Sequence, residues 1–320
     1  MRIVFMGTPA FAVPSFEALM RSHYQVVGVV TQPDRPKGRG HAVIPPPVKQ
    51  VAQAHRLPIL QPEKMKNPGF LDQLTHWQPD LIAVTAFGRI LPKVILDLPP
   101  RGCVNVHASL LPRYRGAAPI QWALINGDTE AGATTMLLDE GMDTGPILLQ
   151  ETLSIEPTDT AAELSARLAD MGGGLLVQTL HELEAGTLTP RVQEDAYATL
   201  APLLKKEEGN INWTLAAEQI ANRVRGLSPW PGSYTFLNEE RLTIWRAHPL
   251  KGPMGSGQAA HSPGMVVEVG KNEIFVVTGH GVLVVTEVQP ANRKRMPVDQ
   301  FLMGHRLESG ALFRAEPHPI

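Results

Sequence analysis

The sequence predicts an α/β fold in which a Rossmann-like, mostly parallel sheet domain is followed by a small antiparallel β-barrel. The chain has 320 residues, which is enough for two ordinary domains. Its first half alternates short runs rich in valine and isoleucine with amphipathic stretches, a pattern typical of a parallel sheet covered by helices on both faces. Its second half contains closely spaced strand candidates without helices between them, which favours a barrel.

In the first domain, predicted at residues 1–188, brief apolar runs indicate strands and amphipathic stretches indicate helices. The strand candidates cover residues 2–6, 25–31, 80–87, 102–107 and 134–138. The helix candidates, several of which open with a proline, cover residues 15–21, 47–55, 68–77, 119–126 and 160–185. The pattern offers no reason for the three glycines at 172–174 inside the last helix.

A change of composition marks the second domain. Residues 189–206 mix proline, charged and small residues, and are predicted to be a linker. The second domain then covers residues 207–320. One helix candidate at 215–225 precedes strand candidates at 234–237, 242–247, 264–269, 273–278 and 281–288.

Charge and cysteine content limit the classes of protein. The formal net charge of −2 excludes a protein that coats nucleic acid over its whole surface, so any RNA contact is expected to be local. The one cysteine, Cys103, lies in an apolar run and is expected to be a buried packing residue. No run approaches the roughly 18 apolar residues of a membrane span, and no targeting segment precedes the first strand. We therefore expect a cytoplasmic protein without a membrane partner.

Three polar side chains form a candidate site. Asn105 and His107 end a predicted strand and share one of its faces, because successive side chains on a strand alternate. Ligands bind at the carboxyl edge of an open parallel sheet. Asp143 follows the next strand candidate in a glycine-rich turn, so the assumption of a parallel sheet places it at the same edge.

These residue types suit the transfer of an acyl-type group to an amine. The imidazole of His107 can take a proton from the amine or, when protonated, support the oxyanion, and the sequence leaves both roles open. The Asn105 amide can donate a hydrogen bond to the oxyanion, and Asp143 can set the His107 tautomer or relay its proton. A structural histidine and a turn-forming aspartate are the alternative explanation of the same residues.

The segment 105–124, NVHASLLPRYRGAAPIQWAL, resembles the folate-dependent formyltransferases. Their motif is Asn, any residue, His, then SerLeuLeuPro and ArgGly, with a later AspThrGly. Four further segments are similar to the methionyl-tRNA formyltransferase family in particular: MGTPAFA at 6–12, QPDRPKGRG at 32–40, FGRILP at 87–92 and SPWPG at 228–232. The resemblance spans nearly the whole chain in the same order, and it implies an OB-fold for the second domain.

This resemblance implies an activity. A formyl group would pass from 10-formyltetrahydrofolate, a reduced folate consumed as a co-substrate, to the α-amino group of methionine on initiator methionyl-tRNA, for translation initiation by a monomeric protein. The resemblance also assigns catalytic roles to Asn105, His107 and Asp143. It assigns the folate contact to Ser109, Leu110, Leu111 and Pro112. No compact cluster of metal ligands is found in the sequence, so no metal is expected.

A flat pterin ring is best held in an apolar slot with a few backbone hydrogen bonds. Candidate walls of this slot follow two neighbouring strand candidates: Phe87, Gly88, Ile90 and Leu91 after one, and residues 110–112 after the next. Core packing at helix starts is the alternative explanation of the same apolar residues.

Basic residues are concentrated at 33–49, where Arg35, Lys37, Arg39 and Lys49 accompany one acid, Asp34. Glycine and proline in this segment predict a long exposed loop. We expect the loop to contact phosphates at the acceptor end of a tRNA, with Arg39 as the foremost contact, and a merely solvated loop is the alternative. The basic residues at 205–206 and 293–295 are further candidates on the second domain.

Two rival functions remain open. One is a folate-dependent formyltransferase or formyl-folate hydrolase that acts on a small molecule and would share the same three polar residues. It has no need of a basic loop or of an RNA-binding second domain. The other is a nucleotide- or RNA-binding module without catalysis, but the first strand ends in Gly7-Thr-Pro and lacks the GxGxxG turn of a dinucleotide site.

Overall fold

The computed structural model describes residues 1–37, 42–251 and 261–316, which divide into two compact units. The first unit comprises 1–119, 130–154 and 165–202 and contains a mostly parallel sheet. The second comprises 120–129, 155–164 and the chain from 203 onward, and contains a curled antiparallel sheet. The predicted fold class is therefore confirmed.

The strands up to residue 202 are β1 (Arg2–Gly7), β2 (Gln25–Val30), β3 (Arg35–Lys37), β4 (Ala42–Ile44), β5 (Ile59–Leu60), β6 (Leu81–Thr85), β7 (Cys103–His107), β8 (Arg115–Gly116), β9 (Glu130–Leu137), β10 (Ile147–Ser154) and β11 (Leu200–Ala201). The helices are α1 (Val13–Arg21), α2 (Pro47–Ala54), α3 (Pro68–His76), α4 (Lys93–Leu96), α5 (Pro119–Ile125) and α6 (Ala161–Ala185). Short 3-10 helices cover Ala10–Ala12 and Asp195–Tyr197.

Seven strands form one sheet in the order β10-β9-β7-β6-β1-β2-β5. The five strands from β7 to β5 are parallel to one another, whereas β9 runs antiparallel to β7 and β10 antiparallel to β9. The parallel direction assumed for the strand that precedes Asp143 is therefore wrong. After β7 the chain passes through β8 and α5 and enters β9 beside the carboxyl end of β7. No crossover to the opposite edge of the sheet is made, so β9 runs antiparallel to β7.

Alternation along the strands builds one core on each face of the sheet. Ile3 and Phe5 of β1 belong to a cluster with residues of α1, α2 and α6, while Val4 and Met6 belong to a cluster with residues of α3 and α4. Cys103 is 2% exposed in the second cluster, and burial raises the pKa of its thiol to about 12. Its prediction as a packing residue is confirmed.

Packing explains two of the three glycines that interrupt the pattern of α6, whereas a Cβ on Gly174 would meet no described atom within 4 Å. A Cβ on Gly172 would lie 2.7 Å from the Val106 side chain of β7, and a Cβ on Gly173 would lie 2.9 Å from the carbonyl oxygen of Pro14. The missing side chains allow α6 to approach the sheet and α1 closely. This approach supports the strand that carries Asn105 and His107.

The segment predicted to be a linker pairs with the first unit in its first part. Arg191 forms a backbone bridge with Ile147, and β11 pairs in parallel with β8. Residues 191–201 are thus held by backbone hydrogen bonds beside the strand that follows the NVH motif. The domain boundaries proposed from composition stay a prediction.

The second unit contains the helices α7 (Ala217–Gly226) and α8 (Val298–Gly304), a 3-10 helix at Lys206–Gly209, and the strands β12 (Ser233–Leu237), β13 (Glu240–Pro249), β14 (Val266–Val269), β15 (Ile274–Val277), β16 (Val282–Pro290), β17 (Met296–Pro297) and β18 (Phe313–Arg314). The sheet order is β14-β15-β16-β13-β12-β18, with β17 added to β16. A bridge between Met265 and Leu312 links the two ends of this order, so the sheet curls on itself around a core that includes Ile244, Val285 and Phe313.

Candidate active site

Strand β7 presents two buried polar side chains on one face. Val104 and Val106 pack into the core on one side of the sheet, while Asn105 and His107, 9% and 7% exposed, point to the other. Within the residues that the structure describes, the Asn105 side chain has no hydrogen-bond partner. Its amide atoms are not among the fully buried polar atoms that lack a partner, so the amide is open to solvent or a ligand.

The orientation of His107 is set by the backbone. Its Nε2 atom lies 2.9 Å from the carbonyl oxygen of Tyr114, which can only accept a hydrogen bond. Tyr114 has φ of 62°, an unusual conformation for a bulky residue, and this turn directs its carbonyl group towards the ring. Nε2 therefore carries the hydrogen, and Nδ1 of the neutral ring has a free lone pair. The tautomer follows from Tyr114 and not, as suggested above, from Asp143.

Asp143 meets His107 by a different route from the one expected. Because β9 is antiparallel, its carboxyl end lies beside the start of β7, where Leu137 pairs with Val104. Residues 138–146 fold back along β7, so that Asp143 Oδ2 lies 3.7 Å from His107 Nδ1. Oδ2 also accepts a hydrogen bond of 2.9 Å from the Gly116 amide. The structure thus brings the imidazole and the carboxylate together, although the sheet direction used to predict this was wrong.

The turn at 109–113 after β7 is held by the two antiparallel strands. Thr134 Oγ1 donates to the Ser109 carbonyl at 2.6 Å and accepts from the Leu111 amide at 3.1 Å. Gln150 Nε2 donates to the Leu111 carbonyl at 2.9 Å, and the Leu111–Pro112 peptide bond is cis. The Leu111 side chain packs in a core cluster with Met136 and Ile147. The turn can therefore offer a ligand its backbone and Leu110, but not the Leu111 side chain.

The segment after β6 also contains both buried side chains and residues that are exposed to a ligand. Phe87 and Leu91 are 2% and 4% exposed in the core, so core packing explains both side chains, whereas Ile90 is 73% exposed. Gly88 is exposed with φ of 75°, and Gln32 Nε2 donates to the Phe87 carbonyl at 2.9 Å. Of the four candidate wall residues here, only Gly88 and Ile90 present surface.

The basic segment forms a hairpin and not the long loop that was predicted. β3 and β4 pair antiparallel, with Arg35, Val43 and Ile44 exposed. Lys37 lies in β3, and Arg39, the foremost predicted contact, falls outside the described residues.

Lys49 takes part in an internal network. Its Nζ lies 2.6 Å from Asp34 Oδ2 and 2.7 Å from Gln61 Oε1, and its side chain is 16% exposed. Hydrogen bonds from Gln61 and Lys49 hold the pKa of Asp34 below its usual value. This network joins the two ends of the hairpin segment, and the expected contact of Lys49 with tRNA stays a prediction.

Sequence reasoning missed the side chains that hold the site together. Thr134 and Gln150 lie in strands, and Gln193 lies in the predicted linker, where no motif marks it. Gln193 is 7% exposed and contacts the Asp143 turn. Only long-range pairing brings these residues to the site, so no local signal in the sequence could have identified them.

The described residues contain neither a cluster of metal ligands nor a membrane-spanning helix. No group of three or more His, Cys, Asp or Glu residues is placed to hold a metal ion. No helix in the described ranges is long and apolar enough to cross a membrane.

Relatives of this chain match over its full length. A protein of Moorella thermoacetica named methionyl-tRNA formyltransferase is 52% identical over 313 residues, which is 98% of this chain and 99% of the relative. A protein of the same name from Trichlorobacter lovleyi is 49% identical over 319 residues, 100% of this chain and 98% of the relative.

Solved structures share the fold at lower identity. A methionyl-tRNA formyltransferase from Clostridium thermocellum matches 79% of this chain and 95% of its own, with a TM-score of 0.54 and 19% identity. An N-formyltransferase from Helicobacter canadensis, in complex with folinic acid and dTDP-3-aminofucose, matches 92% of this chain and 99% of its own, with a TM-score of 0.64 and 17% identity.

Family models agree with these relatives. The model described as formyl transferase matches residues 1–180, and the model described as formyl transferase, C-terminal domain, matches residues 203–306. With the NxH strand, the SerLeuLeuPro turn and the AspThrGly turn gathered around one imidazole, the chain belongs to the formyl transferase family.

Proposed function

We propose that this protein transfers the formyl group of 10-formyltetrahydrofolate to the α-amino group of methionine on initiator methionyl-tRNA, and that it does so as a cytoplasmic monomer. The observation that carries the proposal is the approach of Asp143 Oδ2 to within 3.7 Å of His107 Nδ1, at the end of the strand that also carries Asn105. Relatives at about half identity over the whole chain carry the name of this activity. The alternatives are a small amine or water as the acceptor.

The reaction forms a bond between the amine nitrogen and the formyl carbon, breaks the bond from that carbon to N10 of the folate, and moves one proton from the amine to N10. Negative charge grows on the formyl oxygen as the amine adds. The Asn105 amide donates a hydrogen bond to this oxygen without changing its own charge. Because the amide has no other partner among the described residues, binding the substrate breaks no internal bond.

His107 serves as the proton carrier. In its neutral form the free lone pair is on Nδ1, since Nε2 donates to Tyr114. Nδ1 therefore accepts the amine proton and returns it to the leaving nitrogen. The Asp143 carboxylate, 3.7 Å from Nδ1, stabilises the imidazolium that exists between these two steps. This assignment favours the role of base over that of a permanently protonated oxyanion support.

The folate is held by the two segments that follow β6 and β7. Gly88 and Ile90 on one side, and Leu110 and Pro112 on the other, supply backbone groups and apolar surface for the pterin. Ser109 is buried, and its hydroxyl donates to the Arg113 carbonyl, so it supports the folate contact by fixing the turn. Phe87, Leu91 and Leu111 act indirectly, because their buried side chains fix the backbone of these segments. Folinic acid in the structure from Helicobacter canadensis belongs to a protein with the same fold.

The tRNA is held by the hairpin of β3 and β4 and by the second unit. Arg35 of β3 supplies a phosphate contact from an exposed position, and the basic residues Lys37 and Arg39 of the same segment add to the positive charge offered to the RNA. On the second unit, Lys205 and Lys206 are better placed for this role than Arg295, whose guanidinium pairs with Glu287. A small amine needs neither surface, which favours a tRNA acceptor.

The test is an acceptor comparison with purified protein and radiolabelled 10-formyltetrahydrofolate. The acceptors are methionyl initiator tRNA, methionyl elongator tRNA, glycinamide ribonucleotide, a dTDP-linked amino sugar and buffer alone. We expect the largest kcat/KM with methionyl initiator tRNA. A larger kcat/KM with a small amine, or release of formate in buffer alone at a comparable rate, overturns the proposal.

A further inference from the structure

The turn that carries Asp143 is held partly by its own hydrogen bonds and partly by residues outside it. Asp143 has φ of 57°, a conformation that non-glycine residues rarely adopt. Gly145 lies so close to the carbonyl oxygen of Leu137 that a Cβ there would meet it at 1.8 Å. Within the turn, Asp139 Oδ1 accepts hydrogen bonds from the Gly141 amide and the Thr144 hydroxyl. These bonds leave the carbonyl groups of Asp143 and Gly145 to be satisfied from outside the turn.

One side chain from the predicted linker satisfies both. Gln193 Nε2 donates to the Asp143 carbonyl at 2.9 Å and to the Gly145 carbonyl at 2.7 Å. Gln193 Oε1 accepts from Arg115 Nε at 3.0 Å. The two carbonyl groups can only accept and the guanidinium can only donate, so the amide has one orientation. Rotation of the amide by half a turn would break all of these bonds.

Arg115 closes the arrangement. It is 7% exposed, and its Nη2 also donates to Asp195 Oδ1 at 2.8 Å, two residues after Gln193 in the same segment. The backbone of the following residue, Gly116, donates to Asp143 Oδ2. Strand β8 thus holds Asp143 in two ways. The Gly116 amide binds the Asp143 carboxylate, and Arg115 orients Gln193, which binds the Asp143 main chain.

We propose that Gln193 is a positioning residue for the transfer reaction, one that fixes the Asp143 turn and with it the separation between the Asp143 carboxylate and His107. The inference rests on the proposed function, in which Asp143 stabilises the imidazolium. A single amide is required here because its site needs two donors on one side and one acceptor on the other. A carboxylate of the same size supplies the acceptor but no donor.

The substitution Gln193→Glu tests this with little change in volume. It retains the contact with Arg115 but places a carboxylate oxygen against two carbonyl oxygens, which pushes the turn away. We expect kcat with methionyl initiator tRNA to fall by about 10- to 100-fold, because a displacement of about 1 Å at a reacting group has effects of this size. KM for both substrates should stay within about twofold, since the buried Gln193 side chain is bonded to Arg115 and to the Asp143 turn. The matched control is Gln73→Glu, an exposed glutamine of α3, which should retain wild-type kcat.

Non-additivity distinguishes positioning from a general loss of stability. In an Asp143→Asn background, Gln193→Glu should lower kcat by no more than about twofold further, because the carboxylate that it positions is already gone. A loss in that background as large as in wild type overturns the inference, as does wild-type kcat in the single variant.

If Gln193→Glu does not fold, as judged by circular dichroism, Arg115→Lys takes its place. Arg115 contacts Gln193 and Asp195 through two different nitrogens, and the single ammonium group of a lysine cannot reproduce this geometry. We therefore expect this variant, too, to have a reduced kcat and an unchanged KM. Wild-type protein that formylates no tRNA would refute the proposed function instead, and is seen before any variant is compared.

Discussion

The Nε2 atom of His107 donates a hydrogen bond of 2.9 Å to the main-chain carbonyl oxygen of Tyr114. A histidine next to an aspartate is usually assumed to be oriented by the carboxylate. Here the carboxylate of Asp143 is 3.7 Å from the other ring nitrogen, beyond hydrogen-bond distance, and the backbone fixes the ring. The free lone pair of the neutral ring therefore lies on the side of the ring that Asp143 occupies.

This relationship predicts the tautomer of His107. In the neutral ring the hydrogen should be on Nε2, because the Tyr114 carbonyl oxygen beside it can only accept a hydrogen bond. Nitrogen-15 spectra of histidine-labelled protein, assigned by comparison with His107→Gln, should show the pattern of an Nε2–H imidazole. A signal of the Nδ1–H form would contradict the proposed role of Nδ1 as base.

Removal of the imidazole should stop catalysis and leave binding intact. We expect His107→Ala to lower kcat by about 10²- to 10⁴-fold, the range for loss of a general base. The Kd for methionyl-tRNA, measured by filter binding, should be unchanged. His76→Ala, at an exposed position of α3, is the control and should behave as wild type. Normal turnover of His107→Ala would remove His107 from the mechanism.

Asn105→Leu separates function from stability. Because no partner of the Asn105 amide is found in the described part of the chain, an apolar side chain of similar shape should leave the free energy of unfolding unchanged or higher. Loss of an oxyanion donor should lower kcat by about 10²- to 10³-fold. Urea denaturation and steady-state kinetics measure the two effects. A marked loss of stability with normal kcat would show that the amide is structural.

Thr134→Val should affect both stability and folate binding. The hydroxyl of Thr134 is 0% exposed and bonds to the Ser109 carbonyl, the Leu111 amide and Gln150, all of which lose a partner. We expect a loss of about 1–3 kcal/mol in the free energy of unfolding, together with a higher KM for 10-formyltetrahydrofolate. Thr158→Val, at an exposed position, is the control. An unchanged KM would mean that the 109–113 turn does not contact the folate.

Lys49→Met distinguishes a hairpin support from a phosphate contact. Loss of the pair with Asp34 should loosen residues 35–37 and 42–44, seen as faster amide hydrogen exchange, and should raise KM for methionyl-tRNA. The slope of log KM against log salt concentration should not change if the Lys49 charge stays paired with Asp34 and neutralises no phosphate. Arg35→Ala should instead reduce this slope by roughly 0.7–0.9. A change in slope of that size for Lys49→Met would restore its original assignment as an RNA contact.

Local chemistry in the sequence determined the fold class, the face shared by Asn105 and His107, and the burial of Cys103. Strand alternation and apolar periodicity depend only on neighbouring residues, so these features could be predicted from the chain itself. The family resemblance likewise depended on short contiguous motifs.

Tertiary structure decided what depends on pairing between distant segments. The sequence does not encode the direction of β9 locally, because an apolar strand fits a sheet in either direction, and the true direction requires residues 138–146 to fold back before Asp143 reaches His107. Likewise, the sequence does not show that Lys49 is paired, because its partners Asp34 and Gln61 are brought to it only by the fold. Gln193 positions the Asp143 turn only because β11 pairs with β8, a contact between segments about 85 residues apart whose register no local pattern specifies.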